Sequence, residues 1–403
     1  MAEVVEVTIE KLAGLGDGLA LRGTERIFVP YTVPEDVVCA RIIRKTADAT
    51  YAQLESVVTP GPGRIAPVCR HFGICGGCSL QQLSDNDYTQ FKQQMAREAV
   101  RKAGFDPELT RPLVRLPIAG RRRVELKVQD GALGYYAARS HRLVDIAECK
   151  VLEPGLEALV MELKNHLQNW PGLQTIQING LDQGYDILLC GVGSKAWQVA
   201  PMKDVLRITA REGDTDRTLL QSGPALVNMG GVAVEAPAGA FLQASREAQA
   251  LMTELVAKAA SGAAKVLDLF AGLGSYGFAL ADGAQVTAVE GETAMVNAMR
   301  VAGNDRDGFK AMQRDLFANP VPAAELSTYD AVILNPPRVG AKEQSAMLAG
   351  AKTGCAIMVS CNPATFARDG RLLKEGGWRM EYALPIDQFA YSHHLEIIFK
   401  FAK

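Results

Sequence analysis

The chain has 403 residues, is 48% hydrophobic and 22% charged, and carries a formal net charge of −2. That length suits two or three domains of an ordinary globular protein, and the near-neutral balance is not that of a chain built throughout to bind nucleic acid. No apolar run reaches the roughly 18 residues of a membrane span, and the N-terminal MAEVVEVTIEK carries acidic residues and no apolar signal core, so a cytoplasmic protein without membrane attachment is expected.

Residues 1–58 read as short strands with tight turns. VEVTIEKL leads into the glycine-rich AGLGDGLA, then RIFVP, DVVCARIIRK and ATYAQLESVV, a pattern that predicts a small β-barrel. The Pro/Gly-rich TPGPGRIAP at 59–67 marks a boundary. After a cysteine-rich stretch, Ser84 reads as the N-cap of a helix running to about Lys102, with Phe91, Met95 and Val100 on one stripe. Short strand patterns follow within 111–235: RRVELKVQ, LQTIQING, YDILLCG and VAVEAP. From about residue 263 strand-like and helical runs alternate through KVLDLF, SYGFALA, QVTAVE, ETAMVNAMRVAGND, FKAMQRD, DAVILN and CAIMVSC. That βαβ rhythm predicts an α/β Rossmann-like sheet, whose ligands bind beyond the carboxyl ends of the strands. The expected division is 1–60, 61–235 and 236–403.

Chemistry-bearing residues fall at those strand ends. In LDLFAGLGSYGFALA, Gly272 and Gly274 permit a sharp turn and close backbone approach to a ligand. Glu290 ends the next strand, where a carboxylate can accept both ribose hydroxyls of a nucleoside, and Asp315 ends the one after. Asn335-Pro336-Pro337-Arg338 stiffens the next loop, since proline fixes φ and removes N–H donors. Cys361 ends CAIMVS immediately before Asn362-Pro363, and Glu396 begins the last apolar strand. A thiol with a carboxylate suits covalent catalysis at a carbon too weakly nucleophilic to react unaided, such as uracil C5. Cys355 and Cys190 read as inert packing.

Cys69, Cys75 and Cys78 give C-x5-C-x2-C, with Cys149 far downstream. In a reducing compartment four such thiols suit metal rather than disulfides, and the spacing does not choose between zinc and an iron–sulfur cluster. It is not the C-x3-C-x2-C of radical enzymes. Residues 111–127 hold Arg111, Arg115, Arg121, Arg122, Arg123 and Lys127 against Glu125 alone, followed by Arg139, His141 and Arg142, an expected phosphate-tracking surface. Tyr135 and Tyr136 stand where bases could stack.

SCNPATFARD and HHLE resemble the catalytic motifs of the RNA uridine-C5 methyltransferase family, class I enzymes dependent on S-adenosylmethionine, over nearly the whole chain. The resemblance implies that Cys361 is the nucleophile and Glu396 the base. It implies cofactor contacts at Gln243 in FLQAS and at Phe270, Ser275, Glu290, Asp315 and Asn335, and a [4Fe–4S] cluster on Cys69, Cys75, Cys78 and Cys149. The N-terminal barrel resembles a TRAM domain, and the central part would be an α+β iron–sulfur domain that binds RNA. The implied substrate is RNA, ribosomal (23S) favoured over transfer RNA, with no obligate protein partner evident. The chain departs from the family at Ser275 and Ser245, each in place of a common Asn, and most at Asn335, in place of Asp. Asn335-Pro-Pro is similar to the motif of amino-group methyltransferases, which leaves that activity, or a non-catalytic RNA-binding assembly factor, as the alternatives.

Overall fold

The computed structural model describes residues 3–403, and they divide into two compact units. The first comprises the chain up to Met95 with Gly134–Lys150 and Phe389–His394; the second comprises Ala96–Leu133, Val151–Gln388 and Leu395–Lys403. Among the described residues no helix is long and apolar enough to cross a membrane.

The first unit is built on a six-stranded sheet whose members are Val4–Thr8, Lys11–Leu12, Gly18–Arg22, Glu25–Val29, Val37–Lys45 and Thr50–Thr59. Alternation places Val5, Val7, Ile27, Val29, Val38 and Ala40 in one apolar core. Asp36 ties the following linker to this sheet. Its buried carboxylate accepts hydrogen bonds from Val33 N (2.7 Å), Gly61 N (2.9 Å) and Arg64 Nε (2.9 Å). The predicted helix is present as Asp85–Lys102, with Asp87 N–H donating to Ser84 Oγ at 3.2 Å. The segment 389–394 joins this unit through backbone: Ser79 N and Leu80 N donate to Tyr391 O at 2.8 and 3.0 Å, and fully buried Lys92 donates to His394 O.

The second unit contains the predicted α/β sheet. Its strands are β1 (Lys265–Leu269), β2 (Gln285–Glu290), β3 (Phe309–Gln313), β4 (Ala331–Leu334), β5 (Cys355–Ser360), β6 (Arg379–Asp387) and β7 (Glu396–Ala402), in the order β3-β2-β1-β4-β5-β7-β6, with the short strand Val114–Arg115 beyond β6. β4 is buried along its whole length, as the unbroken apolar AVIL requires of a strand covered on both faces. β1 to β5 run parallel, whereas β7 enters antiparallel between β5 and β6. A separate sheet carries Arg123–Gln129, Leu173–Leu181, Gly184–Gly191, Val205–Glu212 and Thr215–Gln221, matching the strand patterns of the central segment. The hairpin Leu226–Met229/Val232–Glu235 packs with Leu273, Phe278, Val296 and Met299.

Burial alone would raise Asp36, but the Arg64 hydrogen bond and the N–H groups of Gly61 and Val33 outweigh it and hold the carboxyl below its usual value. Its stabilising contribution is therefore present above about pH 4 and lost as pH falls through the lower folded value. Asp36→Ala leaves Arg64 without its carboxylate and is expected to destabilise the first unit by about 3 kcal/mol. In denaturant titrations at pH 7 and pH 3 the gap between wild type and variant should narrow at the lower pH; an equal gap would contradict the assignment.

Candidate active site

The loop after β1 turns sharply. Phe270, Gly272 and Gly274 all adopt positive φ (58°, 59° and 84°), and a Cβ on Gly274 would stand 2.9 Å from the Phe278 ring. Glycine is thus required at 274, while Phe270 holds a strained backbone with its ring 5.3 Å from that of Phe317. Glu290 faces this turn: Oε2 accepts from Gly272 N at 2.9 Å, and Oε1 from Gly291 N and Glu292 N at 2.7 and 3.0 Å. Asp315 Oδ1 is held by Phe317 N and Ala318 N at 2.9 and 3.2 Å. Ser275 opens the helix Ser275–Leu280, its hydroxyl against Met229 Sδ at 2.8 Å. Asn335 N–H donates to Leu269 O at 3.2 Å, tying the Pro-Pro loop to the end of β1. The carboxyl ends of β1 to β4 therefore assemble a glycine turn, an aromatic pair and two oriented carboxylates, acceptors and surfaces that fit an adenosyl group.

The reason for Asn-Pro after the cysteine is local. Asn362 caps the helix Pro363–Glu375, its Oδ1 accepting from Ala364 N at 3.0 Å, and Pro363 occupies the first turn, where a missing N–H is harmless. Cys361 is left at the strand–helix junction. The Arg338 loop is fastened to the same helix: Asn362 Nδ2 and Thr365 Oγ1 donate to Arg338 O (3.0 and 3.3 Å), and Arg368 Nη2 donates to Val339 O (3.0 Å).

Glu396 reaches this place through strand register. Ser360 pairs with Ile397 in the antiparallel β5–β7 ladder, so one step further sets Cys361 opposite Glu396. Glu396 is only 4% exposed. Burial pushes its carboxyl up to about 7, against the hydrogen bond from Gln388 and the charge of Arg338. Burial, and then the Glu396 charge, push the Cys361 thiol up to about 11, opposed by Arg338. Gln388 Nε2 donates to Glu396 Oε2 at 2.9 Å and to Gln243 Oε1 at 2.8 Å. Buried Glu396 and Gln388 are thus linked to half-buried Gln243, with half-buried Cys361 opposite the carboxylate.

Four residues here are absent from the sequence reading: Gln388, Arg338 in this role, Tyr276 and Asp268. Asp268 is fully buried and pushed up to about 7 by burial; Oδ2 accepts from Gly277 N at 3.0 Å while Oδ1 has no partner. Its place among the buried apolar residues Val266, Leu267 and Leu269 was the available signal. Arg122 corrects the expected basic surface. It is 2% exposed and lowered to about 10 by burial, with Nε donating to Gln243 O at 3.3 Å and Nη2 to Gln249 Oε1. Arg123 is half-buried, 5.1 Å from the ring of Phe241, while Arg111, Arg115, Arg139 and Arg142 are exposed. Ser245 caps the helix Arg246–Ala259, accepting from Ala248 N at 3.0 Å, a task serine and asparagine perform equally well.

In the first unit Cys69, Cys75, Cys78 and Cys149 are half-buried. They are close enough for Cys149, Cys75 and Cys69 each to raise Cys78, though burial is the main cause that takes it to about 12. Gly76 N–H donates to Tyr136 O at 2.9 Å, and a Cβ on Gly76 would meet that oxygen at 2.8 Å, so the loop needs glycine there. Four thiols in one unit supply the donor chemistry of a cluster site. As placed, no three His, Cys, Asp or Glu side chains among the described residues close into a metal-holding group.

A thiol raised by burial and then by a neighbouring carboxylate should react slowly with iodoacetamide at pH 7 and faster as pH rises. Glu396→Gln removes that charge, so alkylation of Cys361, followed by peptide mass spectrometry at pH 8.5, is expected to accelerate several-fold. Slower or unchanged alkylation would show that the two groups do not interact.

Residues 227–401 match the family model of tRNA (uracil-5-)-methyltransferases. The chain is 35% identical to a Caulobacter vibrioides protein named an uncharacterized RNA methyltransferase, over 99% of this chain and 100% of that one. It is 30% identical to the 23S rRNA (uracil(1939)-C(5))-methyltransferase RlmD of Halomonas elongata, over 97% and 88%. The crystal structure of Pyrococcus abyssi tRNA (uracil-54, C5)-methyltransferase in complex with S-adenosyl-L-homocysteine superposes with a TM-score of 0.76 at 21% identity, covering 99% of this chain and 100% of that one, and so shares its fold. The β1–β7 sheet, the thiol and carboxylate at its edge and these likenesses over nearly full length have one conclusion: the chain belongs to the RNA (uracil-5-)-methyltransferase family.

Proposed function

We propose that the protein methylates C5 of a uridine in RNA, ribosomal 23S RNA in preference to transfer RNA, through a covalent adduct between Cys361 and C6. The observation that carries this reading is the β5–β7 register, which sets the thiol opposite a buried carboxylate. S-adenosylmethionine, when bound, supplies an electrophilic methyl group. Gln243, Phe270, Ser275, Glu290, Asp315 and Asn335 would hold it. The Cys361 sulfur attacks C6 as a thiolate, and the electron pair of the C5–C6 double bond makes C5 nucleophilic. Arg338 opposes the burial that keeps this thiol protonated. After methylation Glu396 takes the C5 proton, the C5–C6 double bond re-forms, and the C6–S bond breaks to release the thiolate. A base that titrates near 7 is suited to accepting that proton at neutral pH. The target uridine leaves its stack to reach Cys361.

The same reading assigns 1–60 as a TRAM-like barrel, 61–235 as the RNA-binding part with a [4Fe–4S] cluster on Cys69, Cys75, Cys78 and Cys149, and 236–403 as the methyltransferase domain. Asn335 supports a second reading: its side-chain amide has no hydrogen bond to the described residues and could pair with an exocyclic amine. Nucleoside analysis decides between them, since that activity would yield N-methylated adenine or cytosine instead of 5-methyluridine.

RNA carrying 5-fluorouridine at the target lacks the proton whose removal permits release. A covalent protein–RNA adduct should accumulate and be abolished in Cys361→Ala; an adduct surviving that change overturns the role of Cys361. Glu396→Gln should trap an adduct with ordinary RNA and lower turnover by about 10²- to 10⁴-fold.

Protein purified without oxygen should be brown and hold about four irons per chain. Cys78→Ser should lose that iron and weaken RNA binding more than cofactor binding. Stoichiometric zinc without iron would refute the cluster.

A further inference from the structure

Gln388 lies between the proposed base and the proposed cofactor contact, is 7% exposed, and is assigned no role by the motifs. Its amide has a determined orientation. Ala244 N–H, which can only donate, meets Gln388 Oε1 at 3.1 Å. The Nε2 group therefore faces the other way, and its two hydrogens are consumed by Glu396 Oε2 and Gln243 Oε1. Two consequences follow. Gln243 has its oxygen turned inward, so its NH₂ end is the one left for a ligand. Glu396 already faces an N–H at Oε2, and a proton there would set two donors against each other.

We propose that Gln388 is a positioning residue: through Ala244 it fixes Glu396 to receive the C5 proton on Oε1 and fixes Gln243 to present donors, not an acceptor, to the cofactor. The proposal rests on the reading of Glu396 as base. In the step concerned the C5–H bond breaks and its proton goes to Oε1. The electron pair forms C5=C6 as the C6–S bond breaks, and the sulfur leaves as thiolate. The cofactor feature that suits Gln243 is then an acceptor, such as a carboxylate or hydroxyl oxygen.

The charged and titratable groups that act on or respond to Glu396 are Cys361 from the loop after β5, Arg338 from the loop after β4 and Tyr276 from the helix after β1. Burial is what raises Glu396; the hydrogen bond from Gln388 and then the charge of Arg338 favour the carboxylate. Gln388→Met has nearly the same length and no donors, and Gln388→Glu adds a second carboxyl. Both should move the titration of Glu396 to higher pH, Glu further than Met. The direct readout is infrared titration of the carboxyl stretch that disappears in Glu396→Gln. In turnover at saturating RNA and cofactor, a shift of about one unit would make Gln388→Met roughly fivefold slower than wild type at pH 7, with the ratio returning toward one by pH 9. Adduct yield with 5-fluorouridine RNA should be retained, because that step precedes the base. An unmoved infrared midpoint, or a loss of rate equal at every pH, overturns the role of Gln388. Absence of any adduct in wild type, with the midpoint shifted as expected, instead overturns the covalent mechanism while leaving the positioning intact. Should Gln388→Met fail to fold, the isosteric Gln388→Glu carries the same test.

Discussion

The site depends on one constraint, the antiparallel entry of β7 between β5 and β6. In a wholly parallel sheet every strand would bring its carboxyl end to the ligand edge, and the residue that begins a strand would lie at the far edge. Reversal of one strand brings its first residue, Glu396, to the edge where β5 delivers Cys361. A slip of one residue would turn Glu396 to the other face of the sheet. The apolar sequence EIIFKFA, buried on both sides, fixes that register through packing, so the core of the second unit holds thiol and carboxylate in opposition.

Burial then does the chemical tuning. Glu396 and Asp268 are both carried up to about 7, and Cys361 up to about 11, chiefly because charge is costly away from water. The resting thiol is therefore protonated at neutral pH, while the acid is partly ionised. The counterweights are local and specific: Arg338 acts on both groups and Gln388 on the carboxylate. Arg338 is available because its loop is fastened to the helix that Asn362 caps, so the residue that follows the thiol also steadies the cation beside it. The chain is an S-adenosylmethionine-dependent RNA uracil methyltransferase whose polar centre is held by neutral amides as much as by charge.

Much of this was legible in the sequence, for a physical reason. Glycine turns, N-caps and strand ends are specified by neighbours a few residues away, and the helix from Ser84, the strands β1, β2, β4 and β5, and the Asn-Pro cap are all such local features. The run of arginines at 121–123 shows where this fails. One-dimensional charge counting read a surface, yet Arg122 is buried, because its backbone pairs with Gly180 and Ala244 and turns its side chain inward toward Gln249. Gln388 was equally invisible, since an amide carries no motif signal and its partners at 243, 244 and 396 are distant in sequence.

The sequence by itself determined the alternating α/β architecture, the strand-end position of each chemistry-bearing residue and the family those residues resemble, since short-range periodicity and turn chemistry encode them. Only the tertiary structure decided that segments 134–150 and 389–394 belong with the N-terminal unit, that Glu396 stands opposite Cys361, and that one buried glutamine links the carboxylate to Gln243. Those outcomes arise from pairing between residues far apart along the chain. Such pairing is selected by the packing of the whole core, and no local pattern records it.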